Sequence, residues 1–379
     1  MKTYLVGGAV RDRLLNLPVR DRDWVVVGAT DGEMGELGFK KVVSGFPVYI
    51  HPETGEEYAL ARREIKTAPG YRGFRVEFGP EVTLEQDLLR RDLTINALAE
   101  DITTGEIIDL FHGRRDLTEG LLRHISPSFV EDPVRLLRAA RFAARLGRWG
   151  FRISHGTHEL MKHMASSGEL EALQTERLWL EMKQALAEDQ PWRFFEVMHR
   201  CGALSILIPE LVPVMGCSTA HTNQPSSTMI SALKRAAIQT PDSVVRFAVA
   251  MYDAALLTAK PGALAYRLRV EREYADLLER VIQGAPLYQS LDATNPEAIL
   301  RLIDQGRATH QPGRFHAFLA ACQALWPVHG DRFTTKLMRA VAAVKSISGT
   351  PLIKQGLSGK ALKLSLTGQR LAAIERIFE

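Results

Sequence analysis

Asp21 and Asp23 stand two residues apart at the entry to the apolar run Trp24-Val25-Val26-Val27. Twelve residues separate them from the glycine pair of Leu5-Val6-Gly7-Gly8-Ala9-Val10-Arg11-Asp12. Residues i and i+2 of a strand share a face, so a strand starting at Asp21 projects two carboxylates side by side. Hard divalent cations such as Mg²⁺ take such oxygen ligands, commonly shared with substrate phosphates. The glycine pair falls between a short apolar strand, Tyr4–Val6, and a predicted helix from Ala9 to Leu15. Glycine lets backbone approach a ligand closely, and the free N–H groups of a helix start favour anions. Alone, each motif is more often a turn or a solvated edge. Together they point to chemistry on a nucleoside triphosphate.

Two more constellations follow. Arg90-Arg91-Asp92-Leu93-Thr94-Ile95-Asn96-Ala97 falls in a predicted helix from Glu85 to Ala99, which places Asp92 and Asn96 on one face. Arg91 beside them can present a guanidinium fork to phosphate oxygens. In Glu131-Asp132-Pro133-Val134-Arg135-Leu136-Leu137-Arg138-Ala139-Ala140-Arg141-Phe142, Pro133 suits the first turn of a helix and Asp132 its N-cap. Arg135, Arg138 and Arg141 recur every three residues along one stripe. With no interleaved acid they repel one another unless an anion lies over them; the plain alternative is a solvated basic face. Asp132 and Arg135 also permit base reading. Cytosine and adenine each offer an exocyclic amino donor beside a ring-nitrogen acceptor, which one carboxylate and one guanidinium complement; guanine and uracil do not. Such a bidentate pairing discriminates by about 1–3 kcal/mol.

The elements that must position these groups are of two kinds. Strand candidates at Tyr4–Val6, Trp24–Val27, Lys41–Val43, Val48–Ile50, Glu57–Ala61 and Ile107–Leu110 crowd the first ~112 residues. Helical patterns dominate from about residue 114. They cover Pro133–Leu146, Thr157–Ser166, Glu176–Ala187, Trp192–Cys201, Val244–Leu257, Arg272–Ile282, Pro296–Ile303, Arg314–Ala324 and Asp331–Val344. The fold class is therefore α+β, a small mixed-sheet head on a long helical remainder. Polar stretches at Ser218–Ser227 and Ser346–Pro351 mark candidate boundaries. The expected domains are a head at 1–112, a neck at 113–217 with the base-reading helix, a body at 218–350 and a tail at 351–379.

The 379 residues carry a net charge of +4 with 46% hydrophobic and 24% charged residues, as in an ordinary soluble protein. The pI near 8.9 is compatible with a polyanionic partner. Cys201, Cys217 and Cys322 form no paired motif, which favours a reducing compartment. No leader or membrane-spanning run is visible, so a cytoplasmic protein is expected.

Taken in order, the Gly7-Gly8 segment, Asp21-Arg22-Asp23, Arg90–Ala97 and Glu131–Arg135 resemble the bacterial class II CCA-adding tRNA nucleotidyltransferases of the polymerase-β-like superfamily. The likeness is close over roughly residues 1–215. It implies that Gly8 and Arg11 hold the incoming triphosphate, that Asp21 and Asp23 bind two Mg²⁺ ions, and that Arg91, Arg138 and Arg141 bind nucleotide. It further implies that Asp132 and Arg135 read CTP and then ATP, and that the partner is tRNA, bound by phosphate contacts and shape. No obligate protein partner is implied. Only the head of the family's fold carries a sheet. Arg62–Leu84, with Ala68-Pro69-Gly70-Tyr71-Arg72-Gly73, resembles the family's flexible loop, and its length favours CCA over CC-only addition. Glu57 is a candidate third carboxylate.

One departure stands out. Some relatives carry a C-terminal phosphohydrolase site with a His-Asp pair; here Phe247-Ala248-Val249-Ala250-Met251-Tyr252-Asp253-Ala254 puts tyrosine in the histidine's place. Tyrosine is a poor substitute there, so this region is expected to bind no catalytic metal. His155, His158 and His163 are expected to be exposed helix residues. The glycine- and lysine-bearing Ile353–Lys363 segment suits either a tRNA contact or a frayed end. The close rival is a bacterial poly(A) polymerase; a non-catalytic RNA-binding relative and a phosphohydrolase are the others.

Overall fold

The apolar alternation of the first hundred residues builds a 7-stranded mixed sheet in the computed structural model of the chain. The structure describes residues 1–42, 46–67, 73–215, 229–258, 260 and 262–378. They divide into two compact units, Met1–Pro209 and Glu210–Glu379.

The first unit opens with β1 (Lys2–Val6), α1 (Gly8–Leu14), β2 (Asp23–Val27), α2 (Asp31–Glu36), β3 (Lys40–Lys41), β4 (Val48–Ile50) and β5 (Glu57–Leu60). Then come β6 (Arg62–Lys66), β7 (Phe74–Phe78), α3 (Leu84–Leu89), β8 (Ala99–Asp101) and β9 (Ile107–Ile108). The sheet order is β3-β4-β5-β2-β1-β8-β9, with β2 and β5 parallel and the other neighbours antiparallel. The Val25-Val26 pair shows why both faces are covered. Val25 packs with Tyr4, Val6, Leu88 and Ala97, whereas Val26 packs on the opposite face with Met34, Tyr49 and Leu60. β6 and β7, for which no strand is predicted from sequence, form a separate antiparallel hairpin. The Ala68–Arg72 part of the expected loop lies outside the described residues, as do Cys217 and the Ser218–Ser227 boundary.

One predicted element is wrong. The helix expected over Glu85–Ala99 stops at Leu89, because Asp92 turns its carboxylate onto the Leu93 N–H at 2.8 Å and the Asn96 side-chain amide at 2.9 Å. A side chain bonding nearby backbone competes with helix in this way. Leu93 instead bridges to His124, Thr94–Asn96 is a single 3₁₀ turn, and Ala99 begins β8. Asp92 and Asn96 still meet, through a tight turn rather than a helix face.

The unit continues with α4 (Gly113–Glu119), β10 (Leu121–Leu122), α5 (Val134–Leu146), β11 (Arg152–Ile153), α6 (His155–Ser166), α7 (Thr175–Ala187), α8 (Trp192–Arg200) and α9 (Ala203–Leu207). β10 and β11 make a two-residue parallel pair, a small strand contribution beyond the head that the family likeness does not imply. α5 packs on both α7 and α8. Its Leu136, Leu137, Ala140 and Ala144 are fully enclosed, so the arginines are left to face another way.

The second unit is helical: α10 (Met229–Gln239), α11 (Ser243–Leu256), α12 (Ala263–Arg267), α13 (Arg272–Gln289), α14 (Pro296–Gln305), α15 (Pro312–Leu325), α16 (Asp331–Ser346), α17 (Thr350–Lys354) and α18 (Gly359–Phe378). α13 runs past its predicted end at Ile282. Gly284 is no breaker here: a Cβ on it would lie 2.6 Å from the Phe318 ring, so the glycine serves close packing of α13 on α15. No described helix is long and apolar enough to cross a membrane.

Candidate active site

The register of the central strands lines up three residues in one row, with Val6 opposite Asp23 and Asp23 opposite Glu57. Deeper on that face lie the buried Tyr4 and Val25. At the row itself the sheet ends and the face opens into a cavity of about 1140 Å³, lined by Gly8, Arg11, Asp21, Asp23, Arg91, Asp132, Arg135, Arg138 and Arg141 among others. Every site residue singled out from sequence therefore reaches one cavity. Its volume exceeds the usual range of about 300–1,000 Å³ for a small-molecule site.

The carboxylate pair is only half on a strand: Asp23 opens β2, and Asp21 precedes it. Both are exposed at the cavity. Among the described residues neither makes a hydrogen bond or ion pair. Oxygen-only donors without such a partner suit Mg²⁺. Glu57 is their neighbour by register, yet no group of three or more His, Cys, Asp or Glu side chains arranged to share an ion occurs among the described residues. Asp21, Asp23 and Glu57 all line the cavity.

Gly7, rather than Gly8, carries the conformational demand. Its φ is +69°, and a Cβ there would meet the Arg91 guanidinium at 2.8 Å. Gly8 opens α1 and lines the cavity. Arg91 donates to Asp87 at 3.2 Å, while its buried Nε has no protein partner.

The arginine stripe on α5 differs from the expectation of bare, mutually repelling cations. Each guanidinium has a protein partner from another element, which spacing within one helix could not reveal. Arg138 donates to Asp92 at 2.6 Å, and Arg141 to Glu181 of α7 at 2.6 Å. Arg135 donates to the carbonyls of Ser128 at 2.9 Å and Arg90 at 2.7 Å. Arg145, one turn beyond Arg141, donates to Asp12 at 2.7 Å, which also accepts from Arg11 at 2.8 Å. Arg11 continues to Asn96, joining α1 to the Asp92 turn. Burial alone would raise the Asp92 carboxyl, but Arg138 and the bonds from Asn96 and Leu93 hold it well below the usual carboxylate range. Phe142, the last residue of the motif, is the cation–π platform of this wall. Its ring takes the Arg11 and Arg141 guanidiniums at 4.9 and 4.8 Å.

The N-cap of α5 is Pro133 rather than Asp132; Asp132, one residue earlier, accepts the Val134 N–H at 3.0 Å. Burial pushes its carboxyl up, against the pull of that bond and of Arg135. Arg62 and Arg90, to which the sequence pattern assigns no role, also line the cavity; both lie against Glu64, which couples β6 to the Arg90–Asn96 segment.

Elsewhere the outcome is plain. His155 and His163 are exposed on α6, whereas His158 is half-buried with its Nε2 unpartnered. In the second unit Tyr252 lies within α11 and packs edge-on against Trp326, with ring centroids 4.9 Å apart. Cys201 and Cys322 are buried free thiols.

Comparison with known proteins adds sequence support. Residues 3–123 match a family model described as the poly A polymerase head domain. Residues 150–215 match one described as a probable RNA and SrmB-binding site of polymerase A. A multifunctional CCA protein of Thioalkalivibrio sulfidiphilus is 45% identical over 100% of this chain and 98% of its own. A CCA-adding enzyme of Pseudomonas putida is 45% identical over 99% of this chain and 98% of its own. Among solved structures, a CCA-adding enzyme in its apo form II has TM-score 0.70 at 24% identity, covering 99% of this chain and 88% of that one. The Bacillus stearothermophilus CCA-adding enzyme in complex with CTP has TM-score 0.68 at 21% identity, covering 99% of this chain and 89% of that one. At such identities these two likenesses speak for the fold.

Proposed function

The chain belongs to the family of CCA-adding enzymes, and from that premise we infer that it adds C, C and A from CTP and ATP to the 3′ end of tRNA, releasing pyrophosphate. The observation that carries the reading is a single cavity lined both by the aspartate pair and by the acid and guanidinium of Asp132 and Arg135. The head-domain model alone suits a poly(A) polymerase equally. The full-length relatives favour CCA addition.

In this reading Asp21 and Asp23 hold Mg²⁺, which when bound lowers the cost of ionising the tRNA 3′-hydroxyl and offsets charge on the departing pyrophosphate. Gly8, Arg11 and Arg91 hold the triphosphate. The unpartnered Arg91 Nε and the Gly7 conformation beside it leave room and a donor for a phosphate oxygen. Arg138 and Arg141, fixed by Asp92 and Glu181, place positive charge without moving. Asp132 accepts from the exocyclic amine of cytosine or adenine, and Arg135 donates to the adjacent ring nitrogen. Catalysis is then largely positioning and charge placement. The four-part division at 112, 217 and 350, a cytoplasmic location, and a second unit without a catalytic metal belong to the same proposal.

The test is incorporation of labelled CTP and ATP, separately and together, into a tRNA lacking its terminal trinucleotide. Addition of C, C and A followed by a stop is expected. A long A tract would replace this reading with the polymerase, and phosphatase activity with added Ni²⁺ or Mn²⁺ would restore a role for the region around Tyr252.

A further inference from the structure

Two neighbouring carboxylates repel each other until a cation lies between them, so the segment Asp21-Arg22-Asp23-Trp24 must be held in a shape a metal can use. β2 begins only at Asp23, which leaves Asp21 outside the sheet ladder. In an extended chain successive side chains point to opposite faces. With Asp21 and Asp23 on the cavity side, Arg22 and Trp24 take the back of the sheet. Their side-chain bonds converge there on one residue. Trp24 donates its indole Nε1–H to Glu56 Oε2 at 3.0 Å, and the Arg22 guanidinium reaches Glu56 Oε1 at 3.5 Å.

Glu56 immediately precedes Glu57, which opens β5 and stands opposite Asp23 in the parallel pair. One step on, Trp24 stands opposite Tyr58, and their rings stack with centroids 5.5 Å apart and planes 16° from parallel. Tyr58 is backed in turn by Phe39, edge-on at 5.0 Å, and packs on Val26, Met34 and Leu60. The strand start is thus fastened from behind to β5 and to the core, while its front is bare. The Arg22 contact is long, and that side chain is 59% exposed, so it contributes little. The Trp24–Glu56 bond is part-buried and charge-assisted, and it carries the tie. Trp24 also borders the cavity, whereas Glu56 is not among its described lining residues.

We propose that Glu56 and Trp24 are positioning residues for the metal-binding aspartates, a clamp behind the sheet that fixes the Asp21–Asp23 geometry before an ion arrives. They act through the strand and not on the ion. Donors already in place lose less freedom on binding, which is where such a clamp gains affinity. The assignment rests on the metal reading of Asp21 and Asp23 and adds to it what holds them.

The direct test is Mn²⁺ binding to the full chain, followed by the electron paramagnetic resonance signal of the free ion, with Asp21→Ala protein as the blank. Two variants remove the bond: Glu56→Ala, and Trp24→Phe, which keeps an aromatic ring and loses the N–H. Each is expected to weaken the Asp21-dependent binding about three- to tenfold, the worth of one hydrogen bond. Glu56→Gln keeps an acceptor for the indole and is expected to bind Mn²⁺ within about twofold of the unaltered chain. A loss as large in Glu56→Gln as in Glu56→Ala would make Glu56 act by its charge and overturn the clamp. So would unchanged binding in Glu56→Ala and Trp24→Phe. In CTP addition the same two variants should need about three- to tenfold more Mg²⁺ for half-maximal rate, with KM for CTP at saturating Mg²⁺ unchanged. A lower melting temperature with no shift in Mg²⁺ demand would reduce the pair to a purely structural role. A rise in KM for CTP at saturating Mg²⁺ would make the indole a substrate contact instead. Should Asp21→Ala bind as much Mn²⁺ as the unaltered chain, the metal reading itself falls, and the clamp with it.

Discussion

On the α5 side of the cavity the acids are neutralised in place: Asp12 lies between Arg11 and Arg145, Asp92 accepts from Arg138, and Glu181 accepts from Arg141. On the sheet side Asp21 and Asp23 have no partner among the described residues. The first wall is rigid and finished before any ligand arrives, with Arg141 and Glu181 only 8% and 6% exposed. The second is a pair of free charges at the end of a strand. The difference teaches where stability and activity part: removing a group from the finished wall leaves an uncompensated buried charge, while removing one from the open wall leaves the fold untouched.

The sharpest way to break that contrast is at the aspartates. Asp21→Ala or Asp23→Ala is expected to lower CTP incorporation by on the order of 10³-fold or more, the loss of several kcal/mol of charge stabilisation. tRNA binding and the melting temperature should stay near wild type, stability within about 0.5 kcal/mol. A large drop in melting temperature would show that these groups serve the fold. Glu181→Ala should do the reverse, costing about 3–5 kcal/mol in denaturant unfolding by stranding Arg141. If its midpoint does not move, the finished-wall account fails.

Between the two walls stands the base reader. Arg135→Ala is expected to reduce the preference for CTP over UTP by about 1–3 kcal/mol, roughly 5- to 150-fold in relative kcat/KM. A preference that survives intact would move base reading elsewhere. A smaller effect is expected of Gly7→Ala. The left-handed backbone costs about 1–2 kcal/mol in a residue with a side chain, and the added Cβ displaces Arg91, so KM for CTP should rise along with the loss of stability.

The gentlest probe is pH. Asp132 must be ionised to accept from an amino group, and burial lifts its folded carboxyl above the unfolded value. On acidification it therefore protonates before ordinary carboxylates, and KM for CTP should climb early on the acid limb. For stability the sign is opposite to that of a salt-bridged acid. The folded state holds this proton more tightly, so the group's contribution is present at low pH and lost as pH rises through its folded value. Asp132→Asn should flatten both trends; an unchanged acid limb would place the titrating group elsewhere.

The legible part of this molecule was local. Strand alternation around Val25 and Val26 and the proline–cap start of α5 follow from short-range rules, and these brought Asp23 and Arg135 to the right elements. What escaped was tertiary. Nothing in the Glu176–Ala187 helix pattern announces that Glu181 will meet Arg141. The Glu85–Ala99 helix was misread because its apolar spacing is sound. The signal against it was Asp92, a side chain able to bond its own backbone, followed by the β-branched Thr94 and Ile95.

The central claim is tested most directly by a crystal structure with CTP and Mg²⁺ bound. The account predicts the triphosphate against Gly8, Arg11 and Arg91, metal on Asp21 and Asp23, and the cytosine edge within hydrogen-bond distance of Asp132 and Arg135. A nucleotide seated outside this cavity, or inside it with its base turned away from Asp132 and Arg135, would contradict it.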